Sequence, residues 1–284
     1  MGEAIRIEDD EAVRHLVLCR PDEFNTITPT LRDELDAALD GAERDARIKV
    51  VLLRAEGRAF CAGFGLDWST TPMPASADGE DRPVWDSVAD IQMIEQFGKT
   101  FAKLHAISKP TVAVVQGWCV AGGTDMVLNA DLIVAGDSAR FGYPPARVWG
   151  VPEAPWVWVA RLGLERAKRY LFTGDEITAA EAAASGMILE CVADDVLQDH
   201  ARGLAQRIAL LPLNQLQMMK WALNDVARHQ YAPDTSRLLG FIFDGVARHT
   251  QEGLDFVDRA QTIGWRDAVR ERDRPFGDYG ERPR

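Results

Sequence analysis

Thr111–Gly142, TVAVVQGWCVAGGTDMVLNADLIVAGDSARFG, decides the fold. It opens on the unbroken apolar run Val112–Val115, which reads as a buried strand. Gly117 ends that strand, Gly122 and Gly123 stand where a helix begins, and Asp125–Ala130 reads as its first turns. Asp131–Ala135 returns as another strand. A strand, a glycine turn and a helix start leave backbone N–H groups without partners at the mouth of the unit. Such donors suit a ligand oxygen that carries or gains negative charge. Glycines here equally serve close packing of strand on helix, so the pair alone does not choose between the two.

A second stretch bears on that choice. Lys49–Arg54, KVVLLR, is another apolar strand, and it passes through Glu56-Gly57 into Ala59–Asp67, AFCAGFGLD. This is a second glycine-rich turn after a buried strand. Two such turns can each aim one backbone N–H at the same point. Together, from about Val13 to about Cys191, these residues resemble the crotonase family, also called the enoyl-CoA hydratase/isomerase family. Members run a strand into an A-F-[CS]-A-G turn and, further along, a strand into a Gly-Gly turn. The resemblance implies an oxyanion hole for a thioester carbonyl, made here by the N–H groups of Phe64 and Gly122. It also implies an α/β fold, a spiral core of ββα turns with a C-terminal helical appendage. We place the acyl-CoA-binding core at residues 1–193 and the helical region, for trimerisation or capping, at 194–284.

Composition narrows the classes. The 284 residues are 46% hydrophobic and 27% charged, ordinary for a globular enzyme. Lys and Arg number 32 against 44 Asp and Glu, a net charge of −12, which argues against nucleic acid and anionic membrane surfaces as partners. No apolar run reaches transmembrane length, and the acidic start MGEAIRIEDDEAV lacks a signal-peptide core, so a cytoplasmic protein is expected. Cys19, Cys61, Cys119 and Cys191 form no C-x-x-C and read as buried, reduced thiols. The dispersed histidines offer no H-E-x-x-H or nucleophile elbow, so no metal site is expected.

In chain order, Ala4–Glu8 and Val13–Cys19 read as a hairpin. Thr28 as N-cap and Pro29 at the first position start a helix with the stripe Leu31, Leu35, Ala38, Leu39 and Ala42. Trp68–Pro83, rich in proline, serine and acid, reads as a mobile loop. A helix from about Val84 to His105 turns Val88, Ile91, Ile94, Phe101 and Leu104 inward. Arg161–Phe172 is helical, and Thr178 with Glu181 forms a capping box. Ile188–Val192 is a last strand, after which four helical stretches follow, at about 195–210, 214–230, 235–248 and 251–270.

Thioester enolate chemistry needs a clamp for the oxygen and a positioned acid or base. Family hydratases carry two glutamates. Asp125 stands at the position of one, and FGYPP puts Pro145 at the other. Glu153, in WGVPEAP, lies where dienoyl-CoA isomerases and an aryl-CoA dehalogenase carry an essential aspartate; the dienoyl isomerases also have an aspartate where Asp125 stands. Asp125 and Glu153 are therefore the catalytic candidates, a pair able to pass a proton if burial separates their pKa values. The resemblance further implies substrate or CoA contacts at Glu23, Phe24, Thr26, Ala62, Leu66, Asp67, Trp118 and Tyr143, with Arg147 as another pocket candidate. Arg20, Arg54 and Arg58 are candidate phosphate partners. The readings left open are an enoyl-CoA hydratase, an enoyl- or dienoyl-CoA isomerase using Asp125 and Glu153, a C–C or thioester hydrolase, and a silent CoA-thioester binder. Each takes an acyl-CoA with no cofactor beyond the substrate's own CoA, in a homotrimer or dimer of trimers.

Overall fold

The computed structural model describes residues 3–69 and 86–279. Among the described residues, ten strands divide into two sheets. The larger contains β1 (Ile5–Asp10), β2 (Val13–Leu18), β3 (Val50–Ala55), β5 (Thr111–Val115), β7 (Leu132–Gly136) and β10 (Glu190–Val192), in the order β1-β2-β3-β5-β7-β10. Only the β1–β2 hairpin is antiparallel. The smaller contains β4 (Ala59–Cys61), β6 (Trp118–Val120), β8 (Arg140–Gly142) and β9 (Ile177–Thr178), with β4, β6 and β8 parallel.

The apolar runs are continuous because both faces of the large sheet are covered. Val50, Leu52, Val112 and Val114 face one way, while Val51, Leu53, Ala113 and Val115 face the other. Side chains alternate along a strand, so a strand buried on both faces must be apolar at every position. Each long strand then turns a corner into a short one: β3 into β4, β5 into β6, β7 into β8. At the second corner Gly117 has φ +55°, and a Cβ there would lie 1.9 Å from the Arg58 carbonyl oxygen. Only glycine admits that approach. Three successive corners produce the expected spiral.

The helices are α1 (Pro29–Arg44), α2 (Leu66–Ser69), α3 (Ser87–Ala106), α4 (Gly122–Leu128), α5 (Pro155–Leu162), α6 (Leu164–Thr173), α7 (Ala179–Ala184), α8 (Leu197–Ala209), α9 (Leu213–Tyr231), α10 (Pro233–Ala247), α11 (Gln251–Ile263) and α12 (Trp265–Asp273). The caps read from the sequence are present. Thr28 accepts from the Leu31 amide, and Thr178 and Glu181 satisfy one another's donors. The α1 stripe is buried in full.

Four expectations are corrected. Trp68 and Ser69 belong to α2 rather than to a loop; residues 70–83, the rest of that stretch, lie outside the described residues. Val88 is exposed, since the first turn of α3 extends past the core. The helix assigned to Arg161–Phe172 is two, α5 beginning at Pro155 and α6 following a break at Gly163, whose φ of +73° no helix can hold. Gly264, φ +87°, likewise divides the last helical stretch into α11 and α12.

The C-terminal helices are woven into the rest. Leu197, Ala201 and Ala205 of α8 cover one face of the large sheet. Helix α10 packs on α3 and α5, which brings it over the site described next. None of the helices among the described residues is long and apolar enough to cross a membrane.

Candidate active site

The two glycine turns meet. β4 leads into Ala62-Gly63-Phe64, and β6 leads through Ala121 into α4. Gly63 has φ +87°, and a Cβ on it would lie 2.8 Å from Ala121 Cβ and 3.7 Å from the Gly122 nitrogen. A side chain there would drive the turns apart. Ala121 holds φ +54° and ψ −127°, a costly conformation for a residue with a Cβ. It gives α4 no side-chain cap, so the first amide of that helix, Gly122, stays open. At the other turn, Ile27 N donates to Gly63 O at 2.9 Å and Gly65 N donates to Ile27 O at 3.2 Å. That ladder spends the groups on either side of Phe64 and leaves the Phe64 amide out. Among the described residues, neither the Phe64 nor the Gly122 amide has a protein acceptor.

Both residues line a cavity of about 190 Å³ whose walls include Leu66, Ile94, Tyr143, Pro145, Glu153, Asp244 and Arg248. Glu153 is the chemically conspicuous wall residue. It is 3% exposed, and neither carboxyl oxygen has a hydrogen-bond partner among the described residues. Burial, with Asp125 and Asp244 adding like charge, holds its carboxyl well above the ordinary glutamate range. Two glycines bring helices close around it. A Cβ on Gly98 of α3 would come within 3.1 Å of Glu153 Oε2, and one on Gly240 of α10 within 2.9 Å of the Glu153 carbonyl oxygen.

Asp125 behaves differently. Its Oδ1 accepts from Trp158 Nε1 at 2.8 Å, and its Oδ2 accepts from the Glu153 backbone N at 3.1 Å. It is fully buried and is not among the cavity walls. Burial pushes its pKa up to about 7 against the pull of those two donors. The carboxyl thus ties α4 to α5 and fixes the backbone that carries Glu153.

A model of the enoyl-CoA hydratase/isomerase family matches residues 8–259. The chain belongs to that family. The crystal structure of an enoyl-CoA hydratase from Mycobacterium smegmatis is 42% identical in sequence and superposes with a TM-score of 0.89 over 98% of this chain and 96% of that one. The 1,2-epoxyphenylacetyl-CoA isomerase of Escherichia coli K12 is 28% identical over 227 residues, 79% of this chain and 83% of its own. The mitochondrial Delta(3,5)-Delta(2,4)-dienoyl-CoA isomerase of Dictyostelium discoideum is 28% identical over 238 residues, 79% of this chain and 78% of its own. The similarity therefore spans hydratases and isomerases alike.

Against the family pattern, the sequence-derived residues divide. Phe64, Gly122, Ala62, Leu66, Tyr143 and Glu153 share the cavity. Trp118 does not line it; its ring packs on Tyr279, centroids 5.7 Å apart. The side chain of Asp67 lies outside the described residues. Glu23, Phe24 and Thr26 sit in the loop before α1 and are not cavity walls. That loop borders the first turn, since Ala62 N donates to Phe24 O at 3.1 Å. Arg147 is no pocket wall: it is buried between Asp273 (3.0 Å) and Asp278 (2.8 Å) and pins the C-terminal turn. Arg20 pairs with Glu23 and Arg54 with Glu8, while Arg58 lies over the Phe24 ring at 4.5 Å.

Sequence reasoning missed Asp244 in the last turn of α10, Arg248 at that helix's C-cap four residues on, and Tyr279. The signal available was an acid and a base at i and i+4 inside the otherwise apolar run FIFDGVAR. That pattern ordinarily describes a solvated helix face.

Proposed function

We propose that the protein is a hydratase-like enzyme acting on 2-enoyl-CoA thioesters. The observation that carries the reading is a buried carboxyl without a hydrogen-bond partner, Glu153, facing the same cavity as two open backbone amides from separate turns. The thioester oxygen would sit between the Phe64 and Gly122 amides. When a nucleophile adds at C3, the C2=C3 electron pair moves toward that oxygen. The amides stabilise the resulting enolate, and donors of this kind contribute on the order of 3–4 kcal/mol each. Glu153, protonated because burial disfavours its charge, delivers the proton to C2. Proton transfer and a backbone oxyanion hole require neither metal nor redox cofactor, so CoA enters only as part of the substrate.

Glu23, Phe24 and Thr26 are assigned to the CoA side of the site, and Ala62, Leu66 and Tyr143 to the thioester and acyl side. Asp125 we assign as a positioning residue, because both its oxygens are already engaged. Double-bond migration is the second reading, favoured by the same lone carboxyl: Glu153 alone can remove a proton from one carbon and return it to another. The hydrolase and silent-binder readings gain nothing specific from the geometry.

Exposed apolar side chains on α9 and α10, among them Trp221, Leu223, Val226 and Phe243, support self-association as a trimer or dimer of trimers. Light scattering reads that directly. For the activity, purified protein is incubated with crotonyl-CoA and the loss of enoyl absorbance is followed. Loss abolished by Glu153→Gln supports hydration. No loss, with turnover of a 3-enoyl-CoA, moves the assignment to isomerase. Turnover of neither refutes both.

A further inference from the structure

Water addition needs a base as well as an acid, and the family's second glutamate position is occupied by Pro145, which has no proton to move. Another carboxyl comes to that place from far along the chain. Asp244, on α10, lines the same cavity as Glu153, Phe64 and Gly122. Its distance from Pro145 is bounded by Gly150. A Cβ built there would lie 2.8 Å from Pro145 Cβ and 3.4 Å from Asp244 Oδ1, with the Tyr143 hydroxyl at 3.5 Å. The carboxyl therefore flanks the spot where the second glutamate would begin.

Its surroundings also differ from those of Glu153. Oδ1 accepts from the Val151 amide at 3.2 Å, and Oδ2 lies 3.5 Å from Arg248 Nε without a hydrogen bond. Arg248 is itself buried and donates through Nη1 to the Ser69 carbonyl at 2.9 Å. One carboxyl of the cavity thus has a cation and an amide donor, while the other has no donor among the described residues. Unlike environments of this sort separate two carboxyls into a base and an acid.

We infer that Asp244 is a further catalytic carboxyl, the general base that takes the place of the glutamate missing at Pro145. The inference rests on the enoyl-thioester reading above. Water in the cavity gives one proton to Asp244 as its oxygen bonds to C3. The C2=C3 pair passes into the thioester as an enolate, Glu153 protonates C2, and the enolate collapses to the saturated 3-hydroxyacyl thioester. The proton on Asp244 then returns to Glu153 through solvent, so the cycle adds one water and leaves the enzyme unchanged. Burial raises the Asp244 carboxyl while Arg248 and the Val151 amide oppose. The other charged or titratable groups around it are Asp90 on α3 and, lining the same cavity, Tyr143, Glu153, Tyr279, and Arg272 with Asp273 on α12.

Asp244→Asn is the informative substitution, since an asparagine oxygen still accepts from the Val151 amide. With crotonyl-CoA as probe, kcat should fall at least about 10²-fold with KM changed far less, and Asp244→Glu should restore part of it. Arg248→Met is the second variant: stripping the counter-ion should move the ascending limb of the kcat/KM profile to higher pH, which a purely structural ion pair would not do. Asp244→Asn with wild-type kcat, beside an inactive Glu153→Gln, overturns the inference and leaves the enoyl-thioester reading intact. An unmoved ascending limb in Arg248→Met overturns it even if Asp244→Asn fails to fold. Wild-type protein that hydrates no enoyl thioester overturns both.

Discussion

Glu153→Gln should lower activity and, above mildly acidic pH, raise stability. The wild-type carboxyl is buried with both oxygens unpartnered, so the folded protein holds its proton to a pH well above the ordinary value of 4.5. The unfolded chain releases that proton near its ordinary value. Between the two values the folded state binds more protons than the unfolded one, so wild-type stability falls as pH rises. The loss is about 1.4 kcal/mol per pH unit within that window. Glutamine has no proton to lose and removes this slope. For 284 residues the unfolding entropy is about 0.6 kcal/mol/K, so the variant should gain about 2 °C in Tm over wild type for each pH unit. Asp125 and Asp244 stay in both proteins, and their own titrations largely cancel in the comparison. Over the same range kcat should drop on the order of 10²–10⁴-fold, the usual worth of a positioned acid. Scanning calorimetry at pH 5, 6 and 7, beside crotonyl-CoA kinetics, reads both effects. A Tm difference that does not change with pH would refute the buried, protonated carboxyl; unchanged kcat would refute its chemical role.

Three further outcomes follow from the same geometry. Gly122→Ala places a Cβ 2.6 Å from the Phe64 ring and 2.8 Å from Ile27 Cδ1, prising the two turns apart; kcat should fall on the order of 10²-fold with a smaller change in KM, read by steady-state kinetics. Trp158→Phe strips a donor from Asp125 Oδ1 and should cost about 1–3 kcal/mol by urea titration. That donor helps hold the Asp125 pKa down to about 7, so its loss raises the pKa; the variant should keep losing stability above pH 7, where the wild-type contribution levels off. Arg147→Leu leaves Asp278 buried without its cation, while Asp273 keeps Arg272, and should cost about 3–5 kcal/mol, with faster proteolysis of the segment after α12.

The elements legible in the chain were those whose cause is local. Parallel strands buried on both faces are written as apolar runs, so β3, β5 and β7 appear within a residue or two of their ends. Thr28 and Thr178 announce their helices because a cap is satisfied three residues away. Short β4, β6 and β9 and helix α5 were not read, since two or three residues carry no period and PEAPWVWV is apolar at nearly every position.

The paired glycine turns, and with them the family, follow from sequence alone, because a close backbone approach admits glycine and little else. The division of labour among the carboxyls does not. Asp125 and Glu153 looked alike in the chain; hydrogen bonds across 28 and 33 positions occupy the first carboxyl, and the second has none among the described residues. Asp244 reaches the cavity across 93 positions from the Val151 amide it binds. A carboxylate's chemistry depends on the water, cations and donors within a few ångströms of it, and only the folding of α10 over α3 and α5 determines what those are.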